Sequence, residues 1–119
     1  MEVRNREQAE AFTTLDGSTI RVLLDAAFGG AREQSLAEAS LPAGVSTQRH
    51  YHARSEEIYV LLEGTGEMEV EGDRRRVVPG DAILIPPGAW HEIRANGDGG
   101  LRFLCCCAPP YSDGDTFFE

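Results

Sequence analysis

The sequence predicts an all-β fold, and three observations carry that prediction. From Asp16-Gly17 onward, short β-branched or alternating stretches recur roughly every 8–12 residues. Gly, Pro and Asn/Asp clusters punctuate them, drawn from 13 glycines and 6 prolines spread along the chain. No repeat and no second unit is visible in the 119 residues, a length suited to one hydrophobic core. Short strands in this rhythm close into a sandwich or barrel.

Taken in order, residues 1–15 form a polar N-terminal arm with room for a turn or two of helix. Ser18–Leu24 is β-branched and follows a turn signal, and Phe28-Gly29-Gly30 is a loop. Gln34–Ser40 has a helical composition, but Pro42 and Gly44 cut it short, so it is assigned as a strand. Ile58–Leu62 is a strand ending at a Gly64–Gly66 turn. Glu67–Val70 and Arg74–Val78 make a hairpin about Glu71-Gly72-Asp73. Ala82–Ile85, Trp90–Ala95 and Leu101–Ala108 are strands separated by Pro86-Pro87-Gly88 and by the Asn96–Gly100 turn. Residues 109–119 form a tail, and its Tyr111, Phe117 and Phe118 are expected to pack against the body.

Composition narrows the function classes. The net charge of −9 argues against nucleic acid or an anionic membrane as partner, since both reward basic patches. All 11 basic residues are arginine, which excludes Schiff-base chemistry by a lysine. The start, MEVRNREQAEAF, lacks the apolar core of a signal peptide, and no run reaches the roughly 18 apolar residues of a membrane span. Three consecutive cysteines, Cys105–Cys107, make no disulfide framework. A reducing cytoplasm is the expected compartment.

The chemistry concentrates in Gly44–Gly64 and one distant residue. His50 and His52 share a face if this is a strand. A carboxylate pair, Glu56-Glu57, follows, and the third and last histidine is His91. Three imidazoles and one carboxylate, Glu57 or Glu56, make a metal-ligand set suited to one divalent transition ion: Fe, Mn or Ni first, with Zn and Cu also accommodated. Four ligands on an octahedral ion leave two positions open for a small molecule, unlike a closed structural zinc site.

These residues resemble the cupin superfamily of small double-stranded β-helix (jelly-roll) barrels. The first cupin motif, G-x5-H-x-H-x3–4-E-x6-G, is matched over 44–64 by Gly44, His50, His52, Glu57 and Gly64. The second, G-x5-P-x-G-x2-H-x3-N, is matched over 80–96 by Gly80, Pro86, Gly88 and His91, with Asn96 one residue late, which implies a small bulge. The resemblance implies a metal held by His50, His52, Glu57 and His91, and a homodimer. It selects Glu57 over Glu56, which then faces outward, in reach of an arginine. Gly64 and Gly80 fall where turns need positive φ or a close approach. Trp90 is placed at the barrel mouth or in a subunit contact, and Arg74–Arg76 on a solvated edge.

Two further residues share the ligand-bearing faces by alternation: Gln48, two before His50, and Tyr59, two after Glu57. Both are candidate pocket residues that would orient a substrate. Alternation also turns Cys105 and Cys107 to one side of their strand as small apolar lining. The functional reading is a metal-dependent enzyme, dioxygenase- or oxidoreductase-like, acting on a small organic molecule. A sugar-type isomerase, a lyase and a non-catalytic ligand- or metal-binding cupin are the alternatives. Only Arg49, Arg54, Arg94 and Arg102 lie near the ligands in sequence, which disfavours a phosphorylated substrate.

Overall fold

A computed structural model describes residues 1–119. Eleven strands form two antiparallel sheets: β1 Phe12–Thr13, β2 Thr19–Leu24, β3 Ser35–Leu41, β4 His50–His52, β5 Glu56–Glu63, β6 Gly66–Val70, β7 Asp73–Val77, β8 Ala82–Ile85, β9 His91–Ala95, β10 Leu101–Ala108 and β11 Thr116–Phe118. One sheet runs β1-β2-β3-β10-β5-β8 and the other β11-β4-β9-β6-β7. This is the all-β jelly-roll expected. No helix is long and apolar enough to cross a membrane.

Strand alternation sorts side chains between core and surface. Along β5, Glu57, Tyr59 and Leu61 are buried, whereas Ile58 and Glu56 are exposed. Facing residues from the other strands, among them Phe103, Leu41, Ile85, Ile93 and Met68, complete one core of 12 buried apolar side chains. Gln34–Ser40, ambiguous in composition, is a strand because β2 and β10 flank it on both sides. Burying Ala39 and Leu41 on its inner face, with Ala37 half-buried beside them, outweighs the helical preference of its alanines.

Both termini are built into the structure. The arm carries a 3-10 turn, Arg6–Gln8, closed by a capping box on Asn5, and then β1, which pairs with β2. Arg6 crosses the outer face of the first sheet and makes a bidentate ion pair with Glu38, at 2.9 Å to each oxygen. The segment read as a tail is a strand: β11 pairs with β4, setting Thr116 beside His52 and Phe118 beside His50. Its phenyl rings do pack on the body, Phe117 against Tyr51 and Phe118 against His50.

One local expectation fails. Asn96 causes no bulge, for β9 keeps unbroken register with β6 from Val70–His91 to Gly66–Ala95. Asn96 instead uses its backbone N–H and its side-chain amide to hold Thr65. Trp90 lies on the outer face of the second sheet, edge-on to Tyr51 and under the Arg49 guanidinium. Gly64 behaves as expected, with φ of 80° and a position where any Cβ would strike the Gly100 carbonyl oxygen.

Candidate metal centre

The second sheet and β5 bring the four ligand candidates together. His50 and His52 point inward from β4, with the intervening Tyr51 directed to the outer face. The Pro86-Pro87-Gly88 loop turns the chain back, and the Gly88 N–H donates to the His52 carbonyl at 2.7 Å. His91 then enters β9 directly opposite His50. Glu57 projects from the other sheet. One potential ligand atom from each of the four residues lies within 4.8 Å of the other three, and all four residues are buried. Glu56 is exposed and makes no ion pair, which favours Glu57 as the inward carboxylate.

The hydrogen-bond partners fix how each imidazole is turned. Nδ1 of His50 contacts the Gln48 carbonyl at 2.7 Å, and Nδ1 of His91 the Ala89 carbonyl at 2.9 Å. A carbonyl only accepts, so each Nδ1 carries the proton. Nδ1 of His52 lies 3.1 Å from Thr116 Oγ1, whose own hydrogen goes to the Ser112 carbonyl, so His52 is again the donor. In the neutral rings, all three Nε2 atoms therefore present lone pairs inward. There they meet the Glu57 carboxylate, whose Oε1 is 3.3 Å from His52 Nε2 and 3.4 Å from His91 Nε2. Acceptor faces acceptor, and Glu57 Oε1 and His91 Nε2 are left as buried atoms with no hydrogen-bond partner. A cation at this point would satisfy every one of these atoms, and the residues fit a metal on that ground.

Positive charge at this point is favoured. Burial works against charge on Glu57, but hydrogen bonds and charge from His52 and His91, once a proton sits on a facing nitrogen in the cation's place, outweigh it and hold its carboxyl down at about 2. Burial and the nearby His91 lower His50, whereas Glu57 raises His52 against its own burial. The second Glu57 oxygen accepts from the Cys107 thiol at 3.1 Å. Burial first, and then the Glu57 charge, push Cys107 far up, so the thiol keeps the proton it donates.

A cavity of about 100 Å³ opens against this cluster. His50, His52, Glu57, Tyr59, Cys105 and Cys107 form its floor, and Phe12, Thr14 and Tyr111 from the two terminal segments help to wall it. His91, with no exposed surface, is not among the lining residues. Tyr59 is buried in the wall with its ring edge-on to His91, and burial raises its phenol well above 10. Gln48 is not in the cavity: its side chain is exposed, and only its backbone serves the site, through the carbonyl that accepts from His50. Alternation does not extend back from His50, because residues 47–49 lie outside β4 and Thr47 is tied inward to Ile93.

Sequence reasoning also missed residues. In the sequence Asp16 is only part of a turn signal, yet it lines the cavity with Oδ2 4.0 Å from His50 Nε2. Thr116, which orients His52, lay in the supposed tail. No arginine lines the cavity. Arg49 pairs outward with Glu69, Arg54 with Asp115, and Arg102 with Glu38 and Glu63, and Arg94 is exposed.

Known proteins share this architecture. An uncharacterized protein from Methanocaldococcus jannaschii is 44% identical over 110 residues, covering 92% of this chain and 88% of that protein. A 5-nitrosalicylic acid 1,2-dioxygenase from a Bradyrhizobium species is 41% identical over 54 residues, spanning 45% of this chain but only 25% of the dioxygenase. The solved structure of the polyketide cyclase RemF from Streptomyces resistomycificus matches with a TM-score of 0.80 at 28% identity, over 97% of this chain and 89% of the cyclase. The family model for the Cupin domain matches residues 37–107, from β3 through β10 and including all four ligand candidates. On this match and the paired sheets that carry it, the chain belongs to the cupin family.

Proposed function

We propose that the chain is a metal-dependent enzyme acting on a small organic molecule, with oxygenase-type oxidoreductase chemistry as the first reading. The observation that carries it is the set of inward lone pairs, two of them on buried atoms without a partner, placed on a cavity floor. A cation site that opens on a mostly apolar cavity has a use for substrate, whereas a structural site is closed. His50, His52, Glu57 and His91 would hold the ion, and a carboxylate beside three imidazoles favours iron, manganese or nickel over zinc or copper. When bound, the ion would supply Lewis acidity and, if iron or manganese, one-electron exchange. The chain's residues do the rest. Tyr59 keeps its phenolic proton and can donate to a substrate oxygen. Thr116 and the Gln48 and Ala89 carbonyls hold the imidazoles in orientation. Phe12 and Tyr111 restrict water.

A second reading, Lewis-acid chemistry without oxygen such as ring closure, isomerisation or elimination, draws support from the likeness to the polyketide cyclase along nearly the whole chain. Elemental analysis of wild type and His52→Ala, followed by oxygen uptake against diketones, catechols and thiol acids, separates these readings. The expected result is near-stoichiometric metal in wild type, most of it lost in His52→Ala, and uptake with one of the three classes. Unchanged metal in the variant overturns the site. Bound metal without uptake moves the assignment to the second reading, or to a binding module if no compound turns over.

The chain is also proposed to work as a homodimer. The outer face of the first sheet carries Ile58 and Leu84, 39% and 57% exposed, beside partly buried Val60, Leu62 and Leu104. A sheet face of this apolarity calls for a cover, and a second copy supplies one with the same composition.

A further inference from the structure

The cavity is charged on one side only. Asp16 turns Oδ1 to the Ser18 backbone N–H at 2.9 Å and to the Ser18 hydroxyl at 2.6 Å. Those two bonds lock the carboxylate so that Oδ2 is left free on the cavity side, 4.0 Å from His50 Nε2. Asp25, also in the lining, uses one oxygen on the Phe28 N–H. No cationic side chain faces either, since all 11 arginines lie outside the lining. Phe12, Ile20, Val22, Leu36 and Phe103 supply the apolar wall. A divalent ion at the four-residue centre would carry two positive charges, which Glu57 and Asp16 cancel. An anionic substrate would then gain no net attraction, and would have to lie beside a fixed carboxylate in a partly desolvated space. A neutral molecule with a hydroxyl or amide N–H would satisfy the free Asp16 oxygen and pack its body on the apolar wall.

We propose that this cavity takes a small uncharged molecule that donates a hydrogen bond to Asp16, and that Asp16 is the specificity-determining residue that turns carboxylates and phosphates away. The proposal rests on the metal-dependent reading of the same site, and it separates this chain from a relative whose name specifies an aromatic acid. Phosphates fail on the same ground, for no cationic side chain lines the wall to pair with them.

The test compares salicylamide with salicylate, two molecules of nearly one shape that differ by one negative charge. Zinc content is first measured, and binding to zinc-loaded and to chelator-treated protein is then followed by calorimetry. The expected result is salicylamide bound at least tenfold more tightly than salicylate in both forms. Asp16→Asn should shrink that ratio severalfold in both. Removing one of the charges behind a net of −9 would hardly alter the general field, so a large change in the ratio reports Asp16 itself. Salicylate binding as tightly as salicylamide, a ratio unmoved by Asp16→Asn, or no salicylamide binding at millimolar concentration overturns the proposal. If Asp16→Asn does not fold, the wild-type ratio alone decides. Failure of the metal reading shows separately, as substoichiometric zinc, and leaves the chelator-treated comparison standing.

Discussion

Replacing Glu57 by Gln should move two measured quantities in opposite directions. In the metal-free protein at pH about 9, with neutral imidazoles, Oε1 confronts the lone pairs of His52 and His91 at 3.3 and 3.4 Å. The carboxylate is buried with one oxygen unpaired, and a buried polar group without a partner costs about 1–3 kcal/mol. Glu57→Gln keeps the shape, removes the buried charge and can turn an amide N–H toward either lone pair. The other side-chain position, beside the Cys107 thiol, still offers an acceptor. The metal-free variant should therefore be more stable than metal-free wild type by about 1–3 kcal/mol, or roughly 4 °C in melting temperature per kcal/mol. Added metal reverses the order. Wild type should gain about 4 kcal/mol at a free concentration 1,000 times its dissociation constant, while the variant, lacking the anionic ligand, gains little. Urea melts in chelator and in excess zinc read both limbs. A variant less stable than wild type under both conditions would refute the lone-pair argument on which the site rests.

Three further outcomes follow from other contacts. Cys107→Ala removes the donor that orients Glu57 and should weaken zinc binding roughly tenfold, whereas Cys107→Ser, whose hydroxyl can make the same bond, should restore it; competition against a chromophoric chelator measures both. Glu38 is lowered from its ordinary 4.5, chiefly by its bond to Arg6 and against its burial. Its contribution to stability is thus fully present above pH 4.5 and lost as pH falls through its lower folded value. The stability gap between wild type and Glu38→Gln should accordingly close on acidification below pH 4.5, and a gap that widens there would show the sign to be wrong. Leu84→Glu places a charge beside Ile58 on the exposed apolar sheet face and should convert a dimer to monomer by light scattering, without changing metal content.

The parts legible in the sequence are those where one rule acts alone. Period-2 alternation assigns Glu57, Tyr59 and Leu61 to the inside because β5 is flanked on both sides and runs straight through the core. His91 is recoverable because Pro86 and Gly88 allow the chain only one return. The same alternation fails at Gln48, where residues 47–49 lie outside β4 and the inward positions are Thr47 and His50, an odd number of residues apart. β11 was hidden because Thr116–Phe118 is too short to show a period, and its strand character comes from β4, more than sixty positions away. Asp16 was hidden for a different reason. A turn aspartate whose side chain caps Ser18 explains itself locally, and only the folded chain reveals that its second oxygen looks into a cavity.

The pairing of β11 with β4 also bears on when the site can exist during synthesis. All four ligand candidates leave the ribosome before Thr116 does, yet the hydroxyl that orients His52 belongs to Thr116. A nascent chain carrying the complete ligand set thus has a loose His52 ring and a β4 open along one edge. Metal met at that stage would be held weakly and exchanged readily. A metal held here would meet a rigid geometry only once β11 has paired with β4 and closed over His50 and His52.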